Sequence, residues 1–390
     1  MKQEILSSIL MSLLLLSCSG GSVRNNHAKE FKNQCVLERT GEKVYSLDEN
    51  TSSNIEYLQY IAGDSLQRFS FLNSHTNSIY LHDAESGKLL NVIRFDKEGV
   101  DGVGSIQGFC YHNDDSIFVY AYGSGRVQLA NNQGKVMTTY SMFDADAILN
   151  DTTKFLTSPY VESRLPMLYS DGKLIMGGGF LAETTLEKSD NTFVTLLYDV
   201  VRRTATYANS YPEQYRKYDW GGGFFYRQPS MAMTSKGKLI ISFPADHNLW
   251  SYNPVINKSD SLYAGSRLIE KIIPYNTEKK KFPDDVPERL LSDWYYSQPS
   301  YESVFADPYR HLYYRIARLP KADHRPATLN DKPVVVIVLD NELNYLGEDL
   351  LPEGVPYDTF NVYVSPEGLN IRIWNNDEDH LTFYTYNAKL

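Results

Sequence analysis

Cysteine is scarce in this chain, with only three among 390 residues. Cys18 ends an apolar run, which leaves Cys35 and Cys110 for the rest of the sequence. Two cysteines cannot form the multiple bridges that hold small secreted domains together. They could pair with each other in an oxidising compartment. Because Cys110 lies in an apolar stretch, we favour two unpaired cysteines with Cys110 buried.

The chain also lacks an excess of positive charge. Its 38 Lys and Arg residues are outnumbered by 48 Asp and Glu, and the formal net charge is −10. Proteins that bind nucleic acid concentrate Lys and Arg on one face or in one stripe. The sequence contains no such stripe, so nucleic acid is excluded from the expected partners.

Hydrophobic runs are short, and the most apolar one lies at the N-terminus. Residues 5–16 read ILSSILMSLLLL. This run is too short for a membrane-spanning helix, which needs about 20 residues, and it is typical of a secretory signal peptide. The segment that ends at Cys18, LLSC, resembles the lipobox of bacterial lipoproteins. That resemblance implies cleavage before Cys18 and lipid attachment to it.

We therefore predict a lipoprotein signal peptide at 1–17, a lipidated tether at 18–35 and a folded domain at 36–390. The SGGS sequence behind Cys18 suits a flexible tether, and the lipid would attach the protein to a membrane without spanning it. An ordinary signal peptide with a chance cysteine is the alternative. The expected location is the cell envelope, as an outer-membrane lipoprotein that faces the periplasm. Surface exposure is the alternative, disfavoured because no clear acidic cluster follows Cys18.

Several well-known catalytic motifs are absent as well. The sequence contains no G-x-S-x-G, H-E-x-x-H or phosphate-binding loop pattern and no C-x-x-C pair. No reaction class follows from a motif, so enzyme activity is neither predicted nor excluded.

Aromatic residues, by contrast, are abundant: 30 Tyr, 17 Phe and 4 Trp. Aromatic and β-branched residues favour strands, and the apolar stretches alternate with short polar turns. Residues 106–142, for example, contain the stretches IQGFCYH, SIFVYAY, RVQLANN and VMTTYSM. Four short strands joined by tight turns are therefore predicted, and this pattern recurs along the chain.

Six such units can be delimited, at intervals of about fifty to seventy residues, and repeats of this kind indicate a β-propeller. The predicted blades cover residues 57–95, 106–142, 165–208, 229–266, 299–350 and 359–390. The last unit is one strand short, and the β-like segment 36–49 is available to complete it. Pairing that segment with the last unit would close the ring and cover two sheet edges. The predicted fold is all-β, a six-bladed β-propeller of four-stranded antiparallel blades closed by an N-terminal strand.

The tripeptide Gln-Pro-Ser occurs twice, at 228–230 and 298–300. Each copy precedes an apolar run at the start of a predicted blade. We interpret both as the loop that enters the innermost strand, where proline is tolerated at the first strand residue.

The lipobox, the count of six blades and phrases such as NSIYLHDAESGKLLNVIRF (77–95) resemble the six-bladed propeller lipoproteins of Bacteroidetes. More narrowly, they resemble the domain-of-unknown-function 4221 family. The resemblance covers nearly the whole mature chain and implies the fold and an envelope location. It brings no established activity and no catalytic residues.

Aromatic residues crowd in front of both Gln-Pro-Ser copies. In propellers, loops that enter the inner strand share one face with the loops between the second and third strands, and ligands often bind there. We predict a shallow aromatic platform on this loop face for a glycan or a peptide. Packing of the same aromatics between blades is the alternative. The predicted ligand-binding residues are Trp220, Tyr226, Gln228, Trp294, Tyr295, Tyr296 and Gln298.

Four of the eight histidines fall in predicted loops between second and third strands: His75, His247, His324 and His380. The last three each follow an aspartate. Neutral imidazoles beside carboxylates suit Zn²⁺ or another divalent metal ion, although Asp and His are also common in turns.

The leading interpretation is a lipid-anchored envelope propeller that binds a glycan, a peptide or an envelope protein on its loop face. A metal-assisted lyase or hydrolase that uses the His and Asp residues of that face is the alternative, with a divalent metal as its cofactor.

Overall fold

In a computed structural model of the chain, six antiparallel sheets provide nearly all the regular structure of the described residues. The structure describes residues 21–63, 66–142, 157–179, 192–221, 226–278, 287–321, 331–375 and 377–390. No helix in these ranges is long and apolar enough to cross a membrane.

The first two blades follow a pair of N-terminal strands. These are β1 (Val23–Arg24) and β2 (Val36–Ser46). Blade 1 comprises β3 (Leu58–Ile61), β4 (Arg68–Asn73), β5 (Ser78–Asp83) and β6 (Leu89–Arg94). Blade 2 comprises β7 (Ile106–Asn113), β8 (Ser116–Ala121), β9 (Arg126–Ala130) and β10 (Val136–Ser141).

Blades 3 and 4 carry additional short elements. The short strand β11 (Ser158–Pro159) precedes blade 3 and pairs with its second strand. Blade 3 comprises β12 (Leu168–Ser170), β13 (Lys173–Gly179), β14 (Phe193–Asp199) and β15 (Thr204–Ser210). Helix α1 (Glu213–Lys217) leads to blade 4. Blade 4 comprises β16 (Ser230–Met233), β17 (Leu239–Ser242), β18 (Asn248–Asn253) and β19 (Lys258–Tyr263).

The last two blades follow a helical connection. Strand β20 (Lys271–Ile272) and helix α2 (Glu288–Ser297) connect blade 4 to blade 5. Blade 5 comprises β21 (Ser300–Asp307), β22 (Leu312–Arg318), β23 (Val334–Leu339) and β24 (Tyr345–Leu350). Blade 6 comprises β25 (Tyr357–Ser365), β26 (Gly368–Ile373), β27 (His380–Lys389) and β2. The predicted six-bladed β-propeller of four-stranded blades is confirmed.

Burial along the strands reflects their place in a blade. Strand β23 has the sequence VVVIVL and is buried throughout, because neighbouring blades cover both faces of the sheet. The outermost strand β10 has the sequence VMTTYS, and its side chains alternate between exposed and more buried positions. An apolar run therefore marks an inner position and an alternating one marks the rim.

The two ends of the channel are named here by the loops that surround them. The entry face carries the loops that lead into the inner strands, and Ser230 and Ser300 begin β16 and β21 there. This confirms that each Gln-Pro-Ser copy marks the entry to an inner strand. The turn face carries the turns between first and second strands, such as 234–238 and 308–311. Because successive strands are antiparallel, loops between second and third strands lie on the entry face.

The N-terminal strand closes the ring as predicted. β2 pairs antiparallel with β27, from Val36 opposite Lys389 to Ser46 opposite His380. Near its end, the Tyr45 ring stacks on Phe69 of blade 1, with centroids 4.0 Å apart. β2 therefore completes blade 6 and also contacts the next blade around the ring.

The segment that precedes β2 is docked from Val23 onward, within the range 18–35 that the sequence predicts to be a lipidated tether. β1 pairs with β20, and Asn25 Nδ2 donates to the carbonyls of Ser266 (2.8 Å) and Ile269 (2.9 Å). The Phe31 ring stacks on Tyr263 with centroids 5.0 Å apart. Its polar composition does not predict docking, because backbone pairing and the Asn25 side-chain amide, rather than apolar side chains, provide much of the contact.

His247 links this docked segment to the propeller. Its Nδ1 accepts from the Tyr301 hydroxyl at 2.7 Å, and its Nε2 lies 3.2 Å from the Val23 carbonyl and donates to it. Burial lowers the pKa of His247 to about 4, and the charge of Arg315 adds to this effect. The ring is therefore neutral in the folded protein at neutral pH.

Cys35 and Cys110 are both free and buried. Burial raises the pKa of each thiol, to about 11 for Cys35 and to about 12 for Cys110. Both thiols are therefore poor nucleophiles.

We predict that removing residues 19–50 lowers the melting temperature much more than removing residues 19–33. The shorter deletion removes β1 and its contacts. The longer one also removes β2, which exposes the edge of β27 and the surface of Phe69 on which Tyr45 stacks. Circular dichroism melts of the two truncations and the full chain measure this difference. Equal melting temperatures for the two truncations would show that β2 is dispensable for closure.

We also predict that stability falls as the pH drops from about 6.5 to about 4. The unfolded chain binds a proton at His247 near pH 6.5, whereas the folded protein does so only near pH 4. The neutral ring therefore contributes its full stability above pH 6.5, and on the order of 3 kcal/mol is lost by pH 4. The free energy of unfolding, measured by urea melts across this pH range, should depend less on pH in His247→Gln than in the wild type. The matched control His75→Gln, at an exposed position, should retain the wild-type slope, and an unchanged slope for His247→Gln would contradict the assignment.

Candidate binding cavity at the turn face

The predicted aromatic platform forms a packed interior cluster on the entry face. Tyr226 is fully buried and lies at its centre, with ring centroids 5.3 Å from Trp220, 4.9 Å from Trp294 and 5.2 Å from Tyr295. The Tyr226 hydroxyl donates to the Pro299 carbonyl at 2.8 Å. The structure thus brings these residues together, with Trp220 and Tyr295 also buried.

The remaining predicted ligand residues surround this cluster. Tyr296 is half-buried against Tyr295, with centroids 5.7 Å apart. Gln228 is buried, and Gln298 is half-buried with its carbonyl 2.7 Å from the Lys332 Nζ that donates to it. Because most of the aromatic area faces other protein groups, little of it is exposed to a ligand. A ligand-binding role for these seven residues remains a prediction.

Helix α2 explains this burial. The propeller pattern predicts a loop before the inner strand of blade 5, whereas residues 288–297, ERLLSDWYYS, form a helix that turns Tyr295 into the core. Leu290 and Leu291, followed four residues later by Trp294 and Tyr295, show helical spacing. That signal was available in the sequence.

The four predicted metal ligands occupy different environments. His75 is exposed, and both ring nitrogens of His247 already have partners. His380 Nδ1 lies 2.9 Å from Asp377 Oδ2, and His324 lies outside the described residues. Among the described residues, no group of three or more His, Cys, Asp and Glu side chains could hold a metal ion.

A cavity of about 470 Å³ opens at the turn face of the central channel. The inner strands of all six blades contribute to its wall, mostly through their C-terminal halves. Its size falls within the usual range for small-ligand pockets. The lining residues, grouped by blade, are Tyr57–Ala62, Cys110–His112, Ser163 with Pro166–Tyr169, Met231–Met233, Val304–Ala306 with Pro308 and Tyr309, and Val362–Val364.

Aromatic rings surround the mouth of this cavity. Tyr60 and Tyr363 stack with their planes only 6° apart and their centroids 5.4 Å apart. The ring of His112 meets Tyr169 edge-on, with centroids 4.9 Å apart. Tyr309 is 37% exposed and belongs to the same rim. Aromatic ring surface is therefore available at the entrance, whereas the hydroxyls of Tyr60 and Tyr363 are already bonded to Gln67 and Tyr45.

The wall of the cavity carries no formal charge. Every lining residue is described, and none of them is Asp, Glu, Lys or Arg. The amide of Gln59 is already used, because its Oε1 accepts from Tyr111 N (2.8 Å) and its Nε2 donates to Tyr111 O (3.2 Å). The deeper wall consists mainly of Cys, Met, Leu and Val side chains.

The floor of the cavity is a tight turn at residues 161–165, which we call the plug. Ser163 lies at its centre and contacts two blades: its hydroxyl accepts from Leu58 N of blade 1 at 3.0 Å and donates to Asn361 Oδ1 of blade 6 at 2.7 Å. Val161 N donates to Gln107 Oε1 of blade 2 at 3.2 Å.

Arg164 connects the plug to the remaining blades. Its carbonyl accepts from the Met231 amide (3.1 Å) and the Ser230 hydroxyl (2.7 Å) of blade 4. Its Nη1 donates to the Glu302 carbonyl of blade 5 at 3.2 Å. The guanidinium also lies 3.9 Å above the ring of Phe360 in blade 6. The plug, which leads into blade 3, thus contacts all five other blades.

Two glycines permit this close approach. A Cβ at Gly108 would collide with Val161, and one at Gly177 would collide with Leu165. Glycine is therefore required on the strands that flank the plug.

Buried charges lie behind the plug, outside the cavity. Glu302 accepts from the Tyr295 hydroxyl at 2.7 Å and the Ser300 hydroxyl at 2.8 Å, and its Oε2 lies 3.8 Å from Arg164. Burial raises the pKa of Glu302, but the nearby cations, Arg164 first, outweigh it and leave the pKa below its usual value. Burial lowers the pKa of Lys332 to about 7. These groups hold the floor in place and do not face the cavity.

The site residues predicted from the sequence belong to loops expected on the entry face and include none of the cavity residues. The rim residues lie at the opposite ends of the inner strands, where the sequence shows Tyr and His at the ends of apolar stretches. That pattern alone does not distinguish a channel wall from a blade interface.

Comparison with known proteins supports the fold. A family model described as "Domain of unknown function (DUF4221)" matches residues 33–350. No curated protein matches the chain at a significant level.

Two solved structures from Bacteroides are similar over most of their length. A DUF4221 member from Bacteroides vulgatus ATCC 8482 is 20% identical, with a TM-score of 0.75 over 92% of this chain and 99% of its own. A Bacteroides fragilis NCTC 9343 protein, whose name marks it as a candidate for export, is 12% identical, with a TM-score of 0.53 over 92% of this chain and 96% of its own. At these identities the likeness shows the propeller fold alone. Because the family model spans most of the sequence, the chain belongs to the DUF4221 family.

Proposed function

We propose that this protein is a lipid-anchored binding protein of the cell envelope, and that an uncharged ligand occupies the mouth of its central channel. The observation that carries this proposal is the cavity of about 470 Å³, which all six inner strands line without a formal charge. The lipid anchor rests on Cys18 and its lipobox-like context, and the lack of a clear acidic cluster in SGGSVRNN behind Cys18 favours the outer membrane with the domain in the periplasm.

The wall chemistry favours a neutral glycan. The faces of Tyr60 and Tyr309, which are not fully buried, suit stacking against the C–H faces of sugar rings, and the exposed His112 can bond to sugar hydroxyls. A charged ligand would lose hydration without gaining an opposite charge in the wall. A short peptide of uncharged, aromatic-rich composition meets the same requirements and is the second ligand class to test.

The same wall favours binding over hydrolysis of a glycan. Glycoside hydrolysis ordinarily uses two carboxyl groups that flank the scissile bond. The cavity lining contains neither Asp nor Glu. We therefore assign the cavity a binding role.

We predict that Tyr309→Ala weakens glycan binding on the order of ten-fold, because a stacking face at the cavity mouth is lost. Titration calorimetry, after a screen of neutral oligosaccharides, acidic oligosaccharides and uncharged peptides, measures the dissociation constants. The matched control Tyr122→Ala removes another exposed tyrosine, outside the cavity lining, and should leave affinity unchanged. Ligands restricted to acidic glycans would contradict the proposal. So would binding that is lost in Trp294→Ala but retained in Tyr309→Ala, which would instead favour the entry-face platform.

We predict that Cys18→Ala abolishes incorporation of labelled palmitate, because lipid attachment requires the thiol. Metabolic labelling of the full chain in its bacterial host, followed by membrane fractionation, checks this. Equal labelling of the variant and the wild type would show that Cys18 is not the lipid attachment site.

A further inference from the structure

The docked N-terminal segment emerges on the entry face. Gly21 packs so closely there that a Cβ would lie 2.6 Å from Thr277 and 2.9 Å from the Tyr218 ring. Two residues later, Val23 pairs with Ile272. These partners flank blade 4 in the segments that connect it to its neighbours, at the end of the channel opposite the cavity mouth.

The predicted lipid attachment site lies close to this docked segment in sequence. Only three peptide steps separate Cys18 from Gly21. Three residues span at most about 11 Å even when fully extended. A lipid on Cys18 would therefore hold the Gly21 region within about 11 Å of the cysteine.

Exposed aliphatic side chains lie on the same face. Leu268, Ile273 and Leu290 are 53%, 37% and 53% exposed, and all three belong to the connection between blades 4 and 5. The nearby charges are of both signs, with exposed Lys271 beside exposed Glu270. Apolar contact, rather than attraction of one charge sign, is the interaction that this surface offers.

We propose that the entry face around Gly21 lies against the bilayer surface, so that the cavity mouth opens away from the membrane. This proposal rests on the lipid anchor of the proposed function and adds the orientation of the domain. The short reach from Cys18 selects the face, and Leu268, Ile273 and Leu290 supply apolar contacts to the headgroup region. The ligand then enters the cavity from the aqueous periplasm rather than from the side that faces the membrane.

Fluorescence quenching by lipid-borne nitroxides tests the orientation. The full lipidated chain is reconstituted into phosphatidylethanolamine–phosphatidylglycerol vesicles that contain nitroxide lipids. One variant carries a fluorophore at Leu268→Cys, and a matched variant carries it at Val255→Cys, an 82% exposed aliphatic in the outer turn of blade 4 on the turn face. A six-residue strand separates the two ends of that blade, which corresponds to about 20 Å.

We expect quenching at position 268 to be several-fold stronger than at position 255. The parent chain, treated with the same fluorophore, gives the background from labelling of the native cysteines. Cys35 and Cys110 are both buried, so this background should be low. Equal quenching at both positions, or stronger quenching at 255, would overturn the orientation.

A second measurement shows whether a negative result contradicts the lipid anchor itself or only the proposed orientation. Mass spectrometry of the purified chain shows whether Cys18 carries lipid. A lipidated chain with the wrong quenching order overturns the orientation and leaves the anchor and the binding cavity standing. A chain without lipid on Cys18 overturns both the anchor and the orientation that depends on it.

Discussion

The plug at residues 161–165 is the contact on which both the ring and the cavity depend. Inner strands of a propeller mainly contact their immediate neighbours around the axis. Here one turn bonds to the other five blades, through Ser163, Arg164 and Val161. The same turn closes the channel, so the space at the turn face is a blind cavity rather than a pore. Ring cohesion and the cavity at the turn face therefore have the same structural origin.

Placing Arg164 at this position requires the charges around it. A buried guanidinium is costly unless carboxylates and hydrogen bonds compensate for its lost hydration. Glu162 and Glu302 provide that compensation, and the Tyr295 hydroxyl holds Glu302. The aromatic cluster in front of the second Gln-Pro-Ser thus has a clear structural role. A sequence pattern that suggested ligand binding is explained, in part, by support of the channel floor.

The fold could be predicted from the sequence largely because its determinants are local. Runs such as VVVIVL, the turns between them and the spare segment that became β2 are visible within short windows. The cavity could not be predicted in this way, because Tyr60, Tyr309 and Tyr363 meet only after blades 1, 5 and 6 are arranged around the axis. Docking of Asn25 on Ser266 and Ile269 is equally non-local, since more than 200 residues separate these partners. Helix α2 is the exception, because its helical spacing was present in the sequence.

The distribution of charge gives the two ends of the channel different roles. Arg164, Glu302 and Lys332 lie behind the plug and are paired with one another or with carbonyls. None of them lines the cavity, where aromatic rings, sulfur atoms and hydroxyl groups remain. Charge therefore serves to close the channel on the entry face, whereas the cavity that we propose as the binding site on the turn face offers aromatic surface and no formal charge. A docked N-terminal segment that emerges on the entry face is consistent with this division, because it leaves the uncharged mouth unobstructed.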